Sequence, residues 1–358
     1  MKRSTISLRA LNRATLARQL LLERRKMKPL AAIEQLGGLQ AQLPRPPFVG
    51  LWSRIDGFRR DDLLPLIANG KIVRATMMRA TLHLASRSDY MKFRRTLQPA
   101  LTGGLAALRG RTNFDLDALL ARAREFFAKP HTMDEFRACV LERDPEADAR
   151  AEAYAVRLHL PMVQTPSAGK WGYGVGAEFQ IFDAALDAER NADFVVRYLG
   201  AFGPASVADM QTWSGLRNLR EAFESLRPRL VTFTSEAGKE LFDLPDAPRP
   251  PEDTPASVRF LADYDSVVLA HADRTRIVPD EHRPRMFTKN LTIPSSFLVD
   301  GVVAGVWKIE RKGAAASLVV TPFGKLPKRV QKELTEEGEK LVRFVEEDAK
   351  TFAVKSST

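Results

Sequence analysis

Cysteine is almost absent: Cys139 stands alone in 358 residues, so no disulfide can form within the chain and no cysteine-type zinc cluster can be built. Histidine is scarce too. His83, His131, His159, His271 and His282 are scattered without the spacing of a metal centre, and no metal or other cofactor is expected. Long apolar runs are missing; none approaches the ~18 residues of a membrane span. The basic start, Met1-Lys-Arg-Ser-Thr-Ile-Ser-Leu-Arg, lacks the apolar centre of a signal peptide. These absences point to a cytoplasmic protein, nucleoid-associated in a prokaryote. No Walker A, Gly-x-Ser-x-Gly or His-Glu-x-x-His sequence occurs. Gly172-Tyr-Gly-Val-Gly has no strand pattern leading into it. Nucleotide hydrolysis, serine hydrolysis, zinc proteolysis and dinucleotide binding therefore lack support.

What is present is a globular composition, 44% hydrophobic and 28% charged. The length suggests roughly two to four domains. The formal charge of +11 is unevenly placed. Residues 1–111 hold 22 Lys and Arg against 6 Asp and Glu, a net +16, whereas the remainder holds 33 against 38, a net −5. Such polarity is the electrostatic footprint of a polyanion partner, nucleic acid ahead of a membrane surface; a solubilising bias is the bland alternative.

Local patterns repeat along the chain. Asn12 can cap a helix through Leu16, Leu20 and Leu21, Pro29 can open a second, and Asp61-Asp62 a third; strand-like pieces follow at Lys71–Met78 and Ala80–Ser86. The plan returns with helices near Leu116–Phe127, Met133–Glu142 and Ala149–Leu160 before a turn at Pro166–Gly174. It returns again with Ala184–Leu199, Ser206–Gly215 and Asn218–Leu226 before two short β segments near Leu230 and Glu240. Helix–helix–helix–hairpin is the winged-helix plan. The stretch Pro245–Pro255, with five prolines in eleven residues, reads as a linker. Beyond it strands are expected at Ser266–His271, Phe297–Glu310 with a turn at Asp300-Gly301, and Ala316–Thr321, closed by a helix near Pro327–Lys350. The expected architecture is α+β and mainly helical: winged-helix units at 1–111, 112–182 and 183–250, and a small C-terminal α+β domain at 256–358.

The stretch with chemical content is Leu36-Gly-Gly-Leu-Gln-Ala-Gln-Leu-Pro-Arg. Pro44 pushes Leu43 out of helical geometry, and in an extended backbone Gln40 and Gln42 share one face. A pair of amides can hold and orient a water or a sugar without carrying charge, although Gln-x-Gln also suits a solvated helix end.

Leu36-Gly-Gly-Leu-Gln-Ala-Gln, Val73-Arg-Ala-Thr-Met-Met-Arg-Ala-Thr-Leu-His-Leu-Ala-Ser-Arg-Ser-Asp-Tyr and Phe260-Leu-Ala-Asp-Tyr-Asp-Ser-Val-Val-Leu-Ala-His-Ala-Asp-Arg-Thr-Arg, in this order, resemble the AlkZ/YcaQ family of tandem winged-helix proteins. The resemblance covers nearly the whole chain. It implies a DNA glycosylase that removes alkylated purines and unhooks certain interstrand crosslinks, with Gln40 and Gln42 as the catalytic pair in the Gln-x-Gln form rather than the Gln-x-Asp of the YcaQ branch. Part of the family is described only as DNA-binding, so a non-catalytic winged-helix protein or regulator is the competing reading. No lysine stands out as a Schiff-base nucleophile, so a monofunctional enzyme is expected. The expected partner is double-stranded DNA carrying alkylated purines, met by a monomer.

Further residues can contact DNA. Arg74, Arg79, His83 and Arg87 lie in or beside the first wing, where phosphate contact competes with an ordinary solvated sheet face. Arg45 and Arg54 flank the Gln-x-Gln segment. Lys308, Arg311 and Lys312 sit near a second hairpin turn, as a basic finger or merely an exposed turn.

Overall fold

The computed structural model describes residues 4–105, 114–174, 176–287 and 292–357. The expected border at 111/112 lies outside the described residues. The chain opens with β1 (Thr5–Ile6), and Ser7 caps α1 (Leu8–Arg18) by accepting the Ala10 N–H. The cap is therefore not Asn12. That residue is buried inside the helix, and its amide donates to the carbonyls of Arg276 (2.6 Å) and Gly301 (2.8 Å), a tertiary use that leaves capping to the extended Ser7.

Helix α2 (Pro29–Gln35) starts on its proline and ends at Gly37 and Gly38, whose φ values of +72° and +85° are left-handed. Their N–H groups return to the carbonyls of Glu34 and Ile33, and this reversal launches β2 (Leu39–Gln40). Next come α3 (Pro46–Trp52), α4 (Leu64–Ala68), β3 (Ile72–Thr76), β4 (Leu82–Ser86), α5 (Arg87–Phe93) and α6 (Gln98–Gly103). Asp115, Thr132 and Asp148 cap α7 (Leu116–Phe126), α8 (Met133–Arg143) and α9 (Ala149–His159), which bury Leu119, Phe127, Phe136, Val140 and Val156 together. Strands β5 (Met162–Gln164) and β6 (Phe179–Ile181) then join the first hairpin, giving the order β2-β4-β3-β5-β6. One sheet thus spans the expected first and second units.

Helix α10 (Asn191–Phe202) begins later than the expected Ala184. The preceding segment is tied down first: the Asp187 N–H bonds the Met91 carbonyl and the Arg190 N–H bonds Thr96 Oγ1. Helices α11 (Val207–Ser214), opened by the Ser206/Asp209 capping box, and α12 (Arg220–Leu226) pack Trp213 and Phe223 with Tyr198 and Phe202 of α10. Strands β7 (Val231–Ser235) and β8 (Glu240–Asp243) pair, with β1 parallel to β7.

The proline-rich segment is not a free tether. Arg13 donates to the Thr254 carbonyl at 2.7 Å, and Arg249 binds Asp243 at 2.6 Å. After it come β9 (Arg259–Leu261), α13 (Arg283–Met286), β10 (Ser296–Val299), β11 (Val302–Lys312), β12 (Ala315–Pro322), α14 (Lys328–Val345) and β13 (Thr351–Ser356). The sheet order is β13-β12-β11-β10-β9, with α14 burying Leu334, Leu341 and Val342 against Leu318 and Trp307. Asp300 and Gly301 turn β10 into β11 with φ +47° and +84°, as the dipeptide predicts. The expected strand Ser266–His271 is instead a short 3-10 turn at Ser266–Val268 followed by irregular chain. Asp265 accepts the Val267 N–H and is itself gripped by Arg54, which closes the turn; a short buried apolar run cannot reveal this by its pattern.

Candidate active site

Both glutamines are drawn to the turn that links β3 and β4. Gln40 lies opposite His83 in the antiparallel β2–β4 pair, and its Oε1 accepts from Arg79 Nη2 at 2.6 Å. Strand pairing continues through the Ala41 N–H to the Leu82 carbonyl at 2.7 Å. The chain then bends outward, but the exposed Gln42 folds its side chain back, and its Oε1 accepts the Leu82 N–H at 2.8 Å. The Gln42 backbone is held from beneath: Arg74 Nε donates to the Ala41 carbonyl at 2.8 Å and Nη2 to the Gln42 carbonyl at 3.1 Å. The Arg74 guanidinium also lies 5.4 Å from the Tyr173 ring centroid. Each amide oxygen keeps a second lone pair, so each can accept one more hydrogen bond.

Electrostatically the site is cationic beneath and neutral at the glutamines. Burial lowers both Arg74 and Arg79 to about 10, so both stay charged near neutral pH. Among the described residues, no carboxylate contacts either guanidinium. His83 is fully buried, and desolvation, helped by the Arg79 charge, pushes it down to about 3. It is therefore the neutral imidazole: Nδ1–H donates to the Thr81 carbonyl at 3.0 Å, while the buried Nε2 has no partner. Among the described residues no group of histidine, cysteine or carboxylate side chains could hold a metal ion. None of their helices is long and apolar enough to cross a membrane.

Four residues expected to meet phosphates are placed otherwise. Arg54 is wholly buried and forks onto Asp265 with two 2.8 Å bonds, while also donating to the Gln19 and Gly50 carbonyls. Arg74 and His83 are buried as described, and the half-buried Arg79 spends its guanidinium on Gln40 and the Trp213 carbonyl. In this structure the donors of these four are occupied by protein oxygens rather than presented to a phosphate. The other five lie at the surface. Arg45 faces Asp263 at 3.6 Å, and Arg87 binds Asp183 at 2.5 Å while lying over the Phe182 ring. Lys308 pairs with Glu310 at 2.8 Å, Arg311 with Glu346 and Asp348 at 3.0 and 3.2 Å, and Lys312 is exposed at the end of β11. Sequence reasoning missed the Leu82 N–H and the Trp213 carbonyl, because a backbone group leaves no side-chain signature.

A family model of AlkZ-like DNA glycosylases matches residues 33–344, a span that includes both glutamines and every arginine beneath them. The chain belongs to that family. Its AlkZ-like fold is also visible in a solved structure: the DNA glycosylase AlkZ of Streptomyces sahachiroi superposes with a TM-score of 0.77, covering 99% of this chain and 100% of that one, at 21% identity. An interstrand DNA cross-link repair glycosylase of the same organism is 31% identical over 147 residues, which is 38% of this chain and 38% of that protein. That aligned stretch is well under half of the curated relative it matches.

Proposed function

We propose that this AlkZ-like chain is a monofunctional DNA glycosylase that excises cationic N-alkylated purines from duplex DNA, including purines tied in alkylation crosslinks. It acts as a monomer, with three winged-helix units (1–111, 112–182, 183–250) and a C-terminal domain (256–358) contributing to one DNA-binding surface. The observation that carries this reading is the pair of amides, Gln40 and Gln42, each fixed by a hydrogen bond to the β3–β4 turn, with a neutral imidazole and two permanently charged arginines as their titratable neighbours.

Such a site suits one kind of reaction. An N7- or N3-alkylated purine already carries positive charge, so it leaves as a neutral base and needs no proton from the enzyme. What remains is to seat a water beneath C1′ and to stabilise the sugar cation with oriented dipoles, which the remaining lone pairs of Gln40 and Gln42 can do. Water then adds its oxygen to C1′, the C1′–N bond breaks with its electron pair going to the base, and the water's proton passes to solvent. The product is an abasic site. Arg45, Arg87, Lys308, Arg311 and Lys312 supply phosphate contacts in this reading, through guanidinium and ammonium groups that the DNA can draw from their surface ion pairs.

The test is release of free base from duplex oligonucleotides under single turnover. N7-methylguanine is expected to be released with an abasic site left behind, and uracil, which leaves as an anion, to be released at least about 10²-fold more slowly. DNA binding without release of N7-methylguanine would assign the chain to a non-catalytic DNA-binding role.

A further inference from the structure

We propose that Arg79 is a positioning residue for Gln40: it sets which end of the Gln40 amide faces the substrate. This rests on the catalytic role proposed for Gln40. Three observations lead to Arg79. Its Nη2 donates to Gln40 Oε1 at 2.6 Å, while Nη1 donates to the Trp213 carbonyl at the end of α11, so the guanidinium is braced from two elements. Its backbone is left-handed, with φ +53° and ψ 25°, and Ala80 follows at φ +57°. Such values are uncommon for residues with a Cβ, and they mark sites where the surroundings over-determine the backbone. The fit is close, because a Cβ on Gly215 would come within 3.3 Å of the Arg79 Cα.

The third observation is what Arg79 lacks. Arg13, Arg18 and Arg54, buried for the sake of the fold, are each matched by an aspartate: Asp300, Asp243 and Asp265. The half-buried Arg79 guanidinium meets only neutral oxygens. Buried Arg94 also meets only neutral oxygens, Gln98 Oε1 and the Leu158 and Leu160 carbonyls; what distinguishes Arg79 is that one of its two acceptors is the Gln40 amide.

The chemistry follows from donor inventory. A carboxamide has an acceptor at one end and two donors at the other, and its rotor is nearly symmetric in shape. A guanidinium only donates. Turning the Gln40 amide over would bring N–H against N–H, so Arg79 permits one orientation and polarises the oxygen it holds. Without that bond the amide samples both orientations, and a water seated on it loses its fixed acceptor.

A double-mutant cycle on the full chain tests this, with single-turnover release of N7-methylguanine, DNA affinity and thermal melting all measured. Arg79→Met is expected to slow release by about 10-fold or more with DNA affinity within about 2-fold of wild type. In the Gln40→Ala background the same change is expected to cost less than about 2-fold, because the side chain it acts through is gone. Arg79→Lys keeps the charge but offers one ammonium to two acceptors, so its loss should be smaller; if Arg79→Met does not fold, Arg79→Lys carries the same cycle. Equal losses in both backgrounds would mean a general structural role and would overturn the proposal alone. Wild-type release by Gln40→Ala would overturn the catalytic reading of Gln40, and the proposal with it.

Discussion

Gln42→Ala is expected to slow single-turnover excision of N7-methylguanine by roughly 10²-fold or more, the scale of losing one preorganised catalytic dipole. The substitution should spare the fold. Gln42 is exposed, its backbone is gripped by Arg74 through carbonyls that alanine retains, and the lost bond to the Leu82 N–H lies at the surface. The effect should therefore fall on the rate and not on DNA affinity. Gln40→Ala should also reduce the rate, though its 7% exposure and its bond to Arg79 make some loss of stability unavoidable. Wild-type excision by both single variants would remove the glutamines from the mechanism.

Arg54→Ala should act in the opposite way, on stability and not on chemistry. It strands the buried Asp265 carboxylate and leaves the Gln19 and Gly50 carbonyls without their donor, a loss of about 3–5 kcal/mol for a broken buried pair. Replacing both partners with apolar side chains, Arg54→Met with Asp265→Leu, should recover much of that loss, because no unpaired charge remains. Denaturant unfolding reads both effects. If Arg54→Ala proved as stable as wild type but bound DNA more weakly, the phosphate contact expected from its position in the sequence would be restored.

The charge distribution illustrates what the sequence could and could not reveal. The basic first third suggests a polyanion partner, yet Arg18, Arg24, Arg45, Arg54, Arg60 and Arg87 reach carboxylates on Asp243, Glu337, Asp263, Asp265, Glu347 and Asp183. Part of the asymmetry is therefore internal, the basic and acidic parts of one chain holding each other. Sequence distance hides this, since the partners lie a hundred to three hundred residues apart. Features that depend on neighbours in the chain were legible: the Asp300-Gly301 turn, the proline at the start of α2 and the Gln-x-Gln segment leaving helical geometry before Pro44. The short strands β1, β9 and β13 were not, because their pairing comes from strands elsewhere in the chain. The same holds at the site. The glutamines were singled out by the resemblance their segment carries, since Gln-x-Gln spacing alone suits a solvated helix end equally, and the arginines around them looked like solvent-facing wing residues, because alternation in a strand does not say which face is covered.

The most direct test of the central claim, that neutral amides perform this chemistry, is the pH dependence of the single-turnover rate. His83 is the nearest titratable alternative, and its lowered position near 3 leaves it neutral at every pH above about 5, so it contributes no limb in the neutral range. Arg74 and Arg79, near 10, stay protonated throughout. Burial raises Asp89 to about 6, but it sits against Arg197 and not against either glutamine, and Asp89→Asn serves as its control. With enzyme saturating and folding confirmed at each pH, excision of N7-methylguanine should be nearly flat from about pH 6 to 8.5. A bell-shaped profile that persists in Asp89→Asn, together with rapid excision of uracil, would show that a titrating acid or base does the work assigned here to Gln40 and Gln42.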